Sequence, residues 1–307
     1  MADIDGETKD EDPTHTDLLN DDDLDKFEKM DYTDAVTGTE LHNFWGGKVI
    51  EHTVPATGEL IALKVKPRSG LHRSEPELMH YAATHGVLAP RVRGLYDVQS
   101  RPTARVMVSE RVPGVPLVEV WQTASVAEQE SYKMQLRAQL EQMRRCTQPF
   151  IGRLRVRKGV AHEQRLPTYN IYDRLQTTYC GPFATEQEFD EWCWQRAAPK
   201  MLSPLSRFKW KRFMEKEQLQ QQRQGNGKFV LTHGDLTPRN IMVDKGKITG
   251  IVDWERGGFY PEYAEYAFAM ALGHQIEKWW MPVLKELLQP CSKDRVKFTK
   301  LVEFRGW

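Results

Sequence analysis

Short apolar runs separated by turn residues mark an early part of the chain and predict β-strands. The runs Lys48–Ile50 and Leu60–Val65 flank the segment Pro55–Gly58, whose proline and glycine are typical of a hairpin turn. Two further strand-like runs cover residues 89–98 and 104–112. We therefore expect a small sheet in this part of the protein.

A helix is predicted between the two pairs of strands, over residues 74–86. Ser74 is expected to be its N-cap, with Glu77 as the capping-box partner three positions later. Pro76 lies in the first turn, where a missing N–H costs nothing, and Gly86 ends the helix. Strands with one inserted helix indicate an α+β arrangement.

The pattern then becomes helical. Ser125 and Glu128 form a capping-box pair, and an apolar stripe at helical spacing follows, made of Tyr132, Leu136, Leu140 and Met143. Thr185 and Glu188 begin a second helix, and the charged segment 203–223 predicts a third. We interpret the stripe as core.

A strand and a hairpin are predicted beyond the third helix. Phe229–Leu231 is a short buried strand, and Ile241–Val243 and Ile248–Val252 flank the turn Asp244–Lys247. Polar residues stand between these apolar runs, at the strand ends, where catalytic groups are often mounted.

Charge is unevenly distributed along this chain of zero formal net charge. Residues 1–34 carry 14 of the 43 acidic residues and only 3 of the 43 basic ones, which leaves a net charge of +11 on the rest. We expect the acidic segment to be disordered, because it has few aliphatic residues to bury. The mild, diffuse basic excess argues against nucleic acid as a partner and suits a polyanionic ligand such as a nucleoside triphosphate.

Other sequence features concern compartment and partners. No run of about 18 apolar residues is present, so no transmembrane helix and no membrane partner are predicted. The N-terminus lacks the basic and apolar regions of a secretory signal, and none of the four cysteines is part of a CxxC pair. We therefore expect a cytoplasmic protein with reduced thiols. The pattern favours no particular oligomeric state.

The polar residues around the hairpin suggest phosphoryl transfer. Asp235 follows His233 by two positions, Asn240 follows five positions later, and Asp253 lies thirteen further on. An attacking hydroxyl needs an acceptor for its proton, and Asp235 can be that acceptor. Mg²⁺ prefers oxygen ligands, which Asn240 and Asp253 supply.

A cation for the phosphates is also available. Lys64 lies in an apolar strand, and a buried lysine needs a carboxylate partner. The following helix offers Glu75 or Glu77 as that partner.

These residues resemble the phosphoryl-transfer template of the protein-kinase fold, with its strand lysine, helix glutamate, catalytic-loop Asp and Asn, and metal-binding Asp. More narrowly, HGDLTPRN (233–240) with IVDWE (251–255) is similar to the aminoglycoside phosphotransferase and choline-kinase family, especially its fungal members. Five other stretches resemble that family, and the resemblance covers about residues 41–270: FWGGKV, SEPELMHYAATHGVLAPRV, MVSERVPGVPL, GPFATEQEFDEW and GFYPEYAEY.

The resemblance implies a bilobal protein-kinase-like fold of the α+β class. A small antiparallel N-lobe with one helix (35–112) would bind the nucleotide, and a larger, mostly helical C-lobe (113–307) would carry a helical insertion, the catalytic loop and the substrate region. It implies an enzyme that uses ATP and Mg²⁺ to phosphorylate a hydroxyl of a small molecule.

The resemblance also implies a role for each matching residue. Lys64 would hold the α- and β-phosphates with Glu75 as its ion-pair partner, and Ser109 to Arg111 would be the hinge that contacts adenine. Asp235 would be the catalytic base, Asn240 a metal ligand and phosphate-positioning residue, and Asp253 the main metal ligand. His233 would brace the catalytic loop.

Two alternatives belong to other functional classes: a protein kinase and a kinase-like scaffold. Protein kinases carry Arg after the motif His and Gly at the third position of the metal motif, where this chain has Gly234 and Glu255. The spacing also differs from that of protein kinases. The distance from Glu110 to His233 is 123 residues, which is too long, and only 54 residues follow Asp253, which is too few.

The short glycine loop favours a kinase-like scaffold without activity, since the pair at 46–47 lacks GxGxxG spacing. The presence of Lys64, Asp235, Asn240 and Asp253 together opposes it, because a protein without activity has no chemical need for all four.

Several residues have two possible interpretations. Trp279 and Trp280 are core or interface residues, or part of an aromatic cage for a quaternary amine. Arg239 is a candidate phosphate cation. Three glutamates near the metal motif are either solvated or contact the substrate: Glu255, Glu262 and Glu265.

Overall fold

The computed structural model describes most of the chain from residue 36 onward. The described residues are 36–44, 46–155, 164–166, 168–169, 179–200, 203–224, 227–272 and 277–305. The acidic segment 1–34, which we predicted to be disordered, lies outside them.

A five-stranded antiparallel sheet forms the N-terminal part of the described chain. Its strands are β1 (Thr39–Phe44), β2 (Gly47–Thr53), β3 (Leu60–Pro67), β4 (Val92–Val98) and β5 (Ala104–Glu110). The spatial order is β1-β2-β3-β5-β4, and every neighbouring pair is antiparallel. The four predicted strands are confirmed. Strand β1 was missed because nearly all its residues are exposed and give it no apolar pattern.

Alternation along β3 separates the apolar core of this sheet from its polar side. Six residues form the core on one face: Ile50, Ile61, Leu63, Val65, Ala104 and Val106. Because successive strand residues point to opposite faces, Lys64 and Lys66 lie on the other face. That face carries the single helix of the N-terminal part, α1 (Ser74–Thr84). The same pattern that builds the core therefore directs both lysines toward the helix.

Helix α1 begins differently from the prediction. Its N-cap residue is Arg73, which makes no side-chain cap, and Ser74 is already helical. The predicted capping box of Ser74 and Glu77 is therefore wrong. The Ser74 hydroxyl instead lies 2.8 Å from His72 Nδ1 and accepts a hydrogen bond from the Arg153 guanidinium at 3.1 Å. Because the Ser74 hydroxyl makes these contacts, it does not cap the backbone N–H groups of the helix.

The C-terminal part is rich in helices. They are α2 (Leu117–Val120), α3 (Val126–Arg145), α4 (Glu186–Ala197), α5 (Pro204–Gln224), α6 (Ala264–Leu272), α7 (Trp280–Leu287) and α8 (Lys293–Arg305). All three predicted helices are confirmed. None of the helices in the described residues is long and apolar enough to cross a bilayer.

Short strands connect these helices. They are β6 (Val115–Pro116), β7 (Thr147–Gln148), β8 (Arg153–Arg155), β9 (Gln164–Leu166), β10 (Thr168–Tyr169), β11 (Tyr179–Cys180), β12 (Phe229–Thr232), β13 (Ile241–Asp244), β14 (Lys247–Ile251) and β15 (Gly258–Tyr260). The predicted strand and hairpin are confirmed as β12 and β13–β14. Strand β6 pairs with β13, so the chain leaving the N-terminal sheet is attached directly to this hairpin.

Two predictions about α3 are confirmed. Ser125 accepts from the Glu128 backbone N–H, and the Glu128 carboxylate accepts from the Ser125 N–H at 2.8 Å, so the capping box is complete. The four stripe residues of this helix are all buried. Helix α3 therefore supports the large core of the C-terminal part.

The tryptophan pair belongs to this core. Trp280 is 1% exposed, and its indole N–H donates to the Leu236 carbonyl at 2.8 Å. Trp279 stacks on Trp121, with ring centroids 5.7 Å apart, and Trp121 also packs edge-on against Trp280. The rings pack against one another and against the core of the C-terminal part, which supports the core interpretation.

Candidate active site

Lys64 lies at the centre of a cluster of carboxylates. Its Nζ is 2.8 Å from Glu75 Oε1, 2.8 Å from Asp253 Oδ1 and 3.1 Å from Glu255 Oε2. Burial alone would lower the pKa of Lys64, but the three carboxylates more than offset this and raise the pKa well above its usual value. Of the two acids in helix α1, Glu75 is the one that contacts the lysine. The ammonium thus joins the N-terminal sheet and helix to the loop after β14.

Asp253 adopts a strained backbone conformation where strand β14 ends. Its φ is +65° and its ψ is +66°, in the left-handed region that residues with a side chain rarely occupy. The neighbouring residues hold it there: the Val252 carbonyl lies 2.9 Å from His233 Nε2, and the fully buried Trp254 donates its indole N–H to the Ile251 carbonyl. Such strain is found where a side chain must point in one particular direction.

The loop between β12 and β13 carries Asp235 and Asn240. The Asn240 amide donates to the Asp235 backbone carbonyl at 2.9 Å and lies 3.4 Å from its carboxylate. The backbone carbonyl of Asn240 accepts a hydrogen bond from the backbone N–H of Val252 at 2.8 Å, which connects this loop to the residue before Asp253. The structure therefore brings together the loops of Asp235, Asn240 and Asp253, which are distant from Lys64 in sequence.

Gly234 has a steric requirement that separates this loop from that of protein kinases. Its φ is +82°, and a Cβ atom at this position would lie 2.8 Å from the Arg256 carbonyl oxygen. A larger residue, such as the Arg expected in a protein kinase, does not fit here.

The carboxyl group of Asp235 has a perturbed pKa. Burial, together with the negative charges of Asp253 and Glu255, raises its pKa to about 6, although Arg256 and Arg239 act in the opposite direction. Such a pKa is close to that of an effective general base at neutral pH.

His233 stays neutral below this loop. Its Nδ1 accepts from the Asp235 backbone N–H at 3.2 Å, which leaves the proton on Nε2 facing the Val252 carbonyl. Burial lowers the pKa of His233 to about 4. The side chain therefore connects the loop of Asp235 to that of Asp253, in the bracing position that the resemblance implied.

Glu265 has a structural role that the sequence did not indicate. Its carboxylate accepts the backbone N–H groups of His233, at 2.7 Å, and Gly234, at 3.0 Å. Burial raises the pKa of Glu265 to about 7, although the two N–H donors act against this. Both interpretations of Glu265, as a solvated charge or a substrate contact, are therefore wrong. Glu262, in contrast, is exposed as a solvated charge would be.

Arg153 is a second buried residue that the sequence analysis missed. Its fully buried guanidinium donates to the Ser74 hydroxyl and to the backbone carbonyls of Trp254, Glu255 and Gly257. It thereby attaches the start of helix α1 to the loop after Asp253. No motif surrounds Arg153 in the sequence, so no local signal could have identified it.

We expect Arg153→Met to lower the free energy of unfolding by about 2–4 kcal/mol, because it leaves several buried acceptors without their charged donor. Urea denaturation would measure this. Arg137→Met is the matched control: Arg137 is 45% exposed beside Glu286, and its loss should change stability by less than about 0.5 kcal/mol. If the two substitutions lowered the free energy of unfolding equally, Arg153 would not be needed to attach helix α1 to the loop after Asp253.

Two other predicted residues, Arg111 and Arg239, have side-chain partners outside the lysine cluster. Arg111 donates through Nε to Glu51 on β2 at 2.9 Å, and the buried Ser109 lies on β5 opposite Ala62 of β3. Arg239, considered as a phosphate cation, is paired with Glu277.

The donor atoms of the cluster suit a divalent cation. Carboxylate oxygens of Glu75, Asp253 and Glu255 lie within 4.8 Å of one another, and one Glu75 oxygen is buried with no hydrogen-bond partner among the described residues. Hard oxygen ligands with excess negative charge are what Mg²⁺ requires. The residues present therefore fit a divalent cation, and Asp253 is common to this cluster and to the pair of ligands, Asn240 and Asp253, that the resemblance implies.

Sequence comparison identifies the family of this chain and two of its relatives. Residues 54–289 match the Phosphotransferase enzyme family, APH. The aminoglycoside 3′-phosphotransferase of Streptomyces fradiae is 28% identical over 240 residues, which cover 75% of this chain and 76% of that protein. The enzyme of the same name from Streptomyces ribosidificus is 27% identical over 239 residues, covering 75% and 78%.

Solved structures share the fold. The crystal structure of aminoglycoside phosphotransferase APH(4)-Ia aligns with a TM-score of 0.54 at 14% identity, over 91% of this chain and 86% of that one. A thermostable mutant of that protein, in a ternary complex with AMP-PNP and hygromycin B, aligns with a TM-score of 0.51 at 16% identity, over 86% and 82%. The fold is thus the predicted protein-kinase-like one, and the chain belongs to the APH phosphotransferase enzyme family.

Proposed function

We propose that this protein is an ATP- and Mg²⁺-dependent kinase that transfers the γ-phosphoryl group to a hydroxyl of a small molecule. The observation that carries the proposal is the contact of Lys64 with both Glu75 and Asp253, at 2.8 Å each. A structural lysine needs one carboxylate, whereas a lysine shared between helix α1 and the loop after β14 suits a phosphate site between the two lobes.

The nucleotide would bind mainly to the N-lobe, which we assign to residues 35–112. The backbone from Ser109 to Arg111 would contact adenine, and Lys64 would hold the α- and β-phosphates. Because Ser109 is opposite Ala62, two residues before Lys64 on β3, the adenine and phosphate positions follow one another along the same strand.

The C-lobe, residues 113–307, would supply the chemistry. Asp235 would orient the acceptor hydroxyl and take its proton, and its raised pKa supports this role. Asn240 and Asp253 would hold the cation, with Asn240 also positioning the phosphates; when bound, Mg²⁺ neutralises charge on the transferred phosphoryl group. Positioning by rigid neighbours such as Glu265 and His233 would contribute much of the rate enhancement.

The acceptor belongs to the class of hydroxyl-bearing small molecules. The names of the two Streptomyces relatives make aminoglycosides the first compounds to test. One fold hosts many acceptors, so the panel should also include simple amino sugars, neutral sugars, choline-like amines and homoserine-like metabolites. ATP consumption with each compound, followed by mass detection of a phosphorylated product, would identify the acceptor.

Nucleotide binding can be tested before the acceptor is known. We expect ATP with Mg²⁺, at about 100 times its Kd, to stabilise the protein by about 2.7 kcal/mol. For a protein of this size the unfolding temperature should rise by roughly 4–5 °C. ATP with EDTA should produce a clearly smaller rise. If neither condition raised the unfolding temperature, the kinase proposal would fail, and the alternative of a non-catalytic scaffold would be favoured.

A further inference from the structure

Lys66 is a second buried lysine in the same cluster. It lies two positions after Lys64 on β3 and therefore on the same face of the sheet. Its Nζ is 2.9 Å from Glu255 Oε2, and Lys64 Nζ is 3.1 Å from that same oxygen atom. Two ammonium groups that converge on one anionic oxygen are arranged as they would be around a phosphate oxygen.

Lys66 also lies below the turn between β1 and β2. Its Nζ is 5.2 Å from the centre of the Phe44 ring, at the end of β1. Gly47, at the start of β2, has no room for a side chain, because a Cβ atom would lie 2.9 Å from Lys66 Cγ and 2.4 Å from the Val65 carbonyl oxygen. The start of β2, at Gly47, is thus packed closely on the stem of Lys66.

The register of the sheet shows in which direction Lys66 extends the site. Ala62 is opposite Ser109, Lys64 opposite Met107 and Lys66 opposite Arg105. Along the axis of β3, Lys66 is about 6–7 Å beyond Lys64 in the direction away from Ser109. If adenine is at Ser109 and the first phosphates are at Lys64, the outer phosphates lie near Lys66.

We propose that Lys66 is a second phosphate-binding lysine, which contacts the outer phosphates of the nucleotide. This inference rests on the proposed function, because it assumes a nucleotide in the cleft. In this arrangement Glu255 occupies the phosphate position and holds both ammonium groups in place until the nucleotide replaces it. The second lysine adds positive charge beside the Gly46–Gly47 pair, which lacks the GxGxxG spacing of a phosphate-binding loop.

Calorimetric titration with ATP and with AMP, both with Mg²⁺, tests this proposal. We expect Lys66→Met to weaken ATP binding by about 10-fold to 100-fold, the usual contribution of one charge-assisted hydrogen bond, and to change AMP binding by less than about twofold. Lys66→Arg should restore most of the ATP affinity. If the Met variant does not fold, Lys66→Gln replaces it in the comparison of ATP and AMP affinity, because Gln keeps a polar group beside Glu255. Lys297→Met, at a lysine that is 58% exposed on α8, is the control and should change neither affinity.

The outcomes separate the two proposals. If wild-type protein binds ATP and Lys66→Met binds it equally well, Lys66 is not a phosphate ligand, although the kinase proposal stands. If the Met and Gln variants weaken ATP and AMP by the same factor, Lys66 only supports the structure as a counter-ion of Glu255, and the inference is wrong. If wild-type protein binds no nucleotide, the proposed function fails first.

Discussion

Asp235→Asn is expected to lower kcat by about 10²–10⁴-fold, which is the usual contribution of a general base. The substitution keeps the size of the side chain and leaves Lys64 with its carboxylate partners. ATP affinity should therefore stay within about twofold of wild type. Initial-rate assays with an acceptor found in the panel, together with calorimetric titration of ATP, measure the two quantities separately.

The same substitution should also stabilise the nucleotide-free protein at neutral pH. An aspartate in an unfolded chain has a pKa of about 3.9, whereas the pKa of Asp235 in the folded protein is raised to about 6. A group whose folded pKa is raised stabilises the fold below its unfolded pKa, and this contribution is lost as the pH rises to the folded pKa. The Asn side chain has no proton to lose in this range.

We therefore expect the stability of Asp235→Asn, relative to wild type, to rise by about 1–2 kcal/mol between pH 5 and pH 7.5. Urea denaturation in EDTA, without nucleotide, measures this difference. Asp294→Asn is the control for activity, because Asp294 is exposed at the start of α8 and pairs with Lys297 in its own helix. Near-normal turnover in Asp235→Asn would eliminate Asp235 as the base, and a pH-independent stability difference would show that its carboxyl is not buried as described.

The sequence predicted the parts of this fold that are determined locally. The apolar run of β3 identified a strand that carries Lys64, and the polar residues between β12 and β14 marked the loops of Asp235 and Asp253. Such patterns depend on neighbours within a few positions. They are visible without any knowledge of which elements meet in space.

The residues that hold the site together were missed because their partners are distant in sequence. Arg153 contacts Ser74, 79 positions earlier, and the loop after Asp253, about 100 positions later. Glu265 contacts backbone N–H groups, which every residue except proline carries, so no partner residue type indicated it. The wrong cap at Ser74 has the same origin, because a hydroxyl that is bound by a distant guanidinium is not available to its own helix.

Lys64→Met is expected to abolish detectable ATP binding and to lower the free energy of unfolding by about 3–5 kcal/mol. Removing one partner from a buried ion pair leaves the other charge without compensation, and Glu75 is fully buried. Lys66 remains bound to Glu255, so most of the loss should come from Glu75 and Asp253. Calorimetric titration and urea denaturation measure the two effects.

A double variant separates the stability of the cluster from its function. In Lys64→Met with Glu75→Gln the buried negative charge is also removed, so the stability should recover by at least 2 kcal/mol of the roughly 3–5 kcal/mol lost in the single variant. ATP binding should not recover, because no cation replaces Lys64. If ATP binding returned together with stability, the lysine would be needed only to neutralise Glu75. If ATP binding stayed absent in the stable double variant, the ammonium itself would be the phosphate ligand, since the fold would be intact and only its charge would be missing.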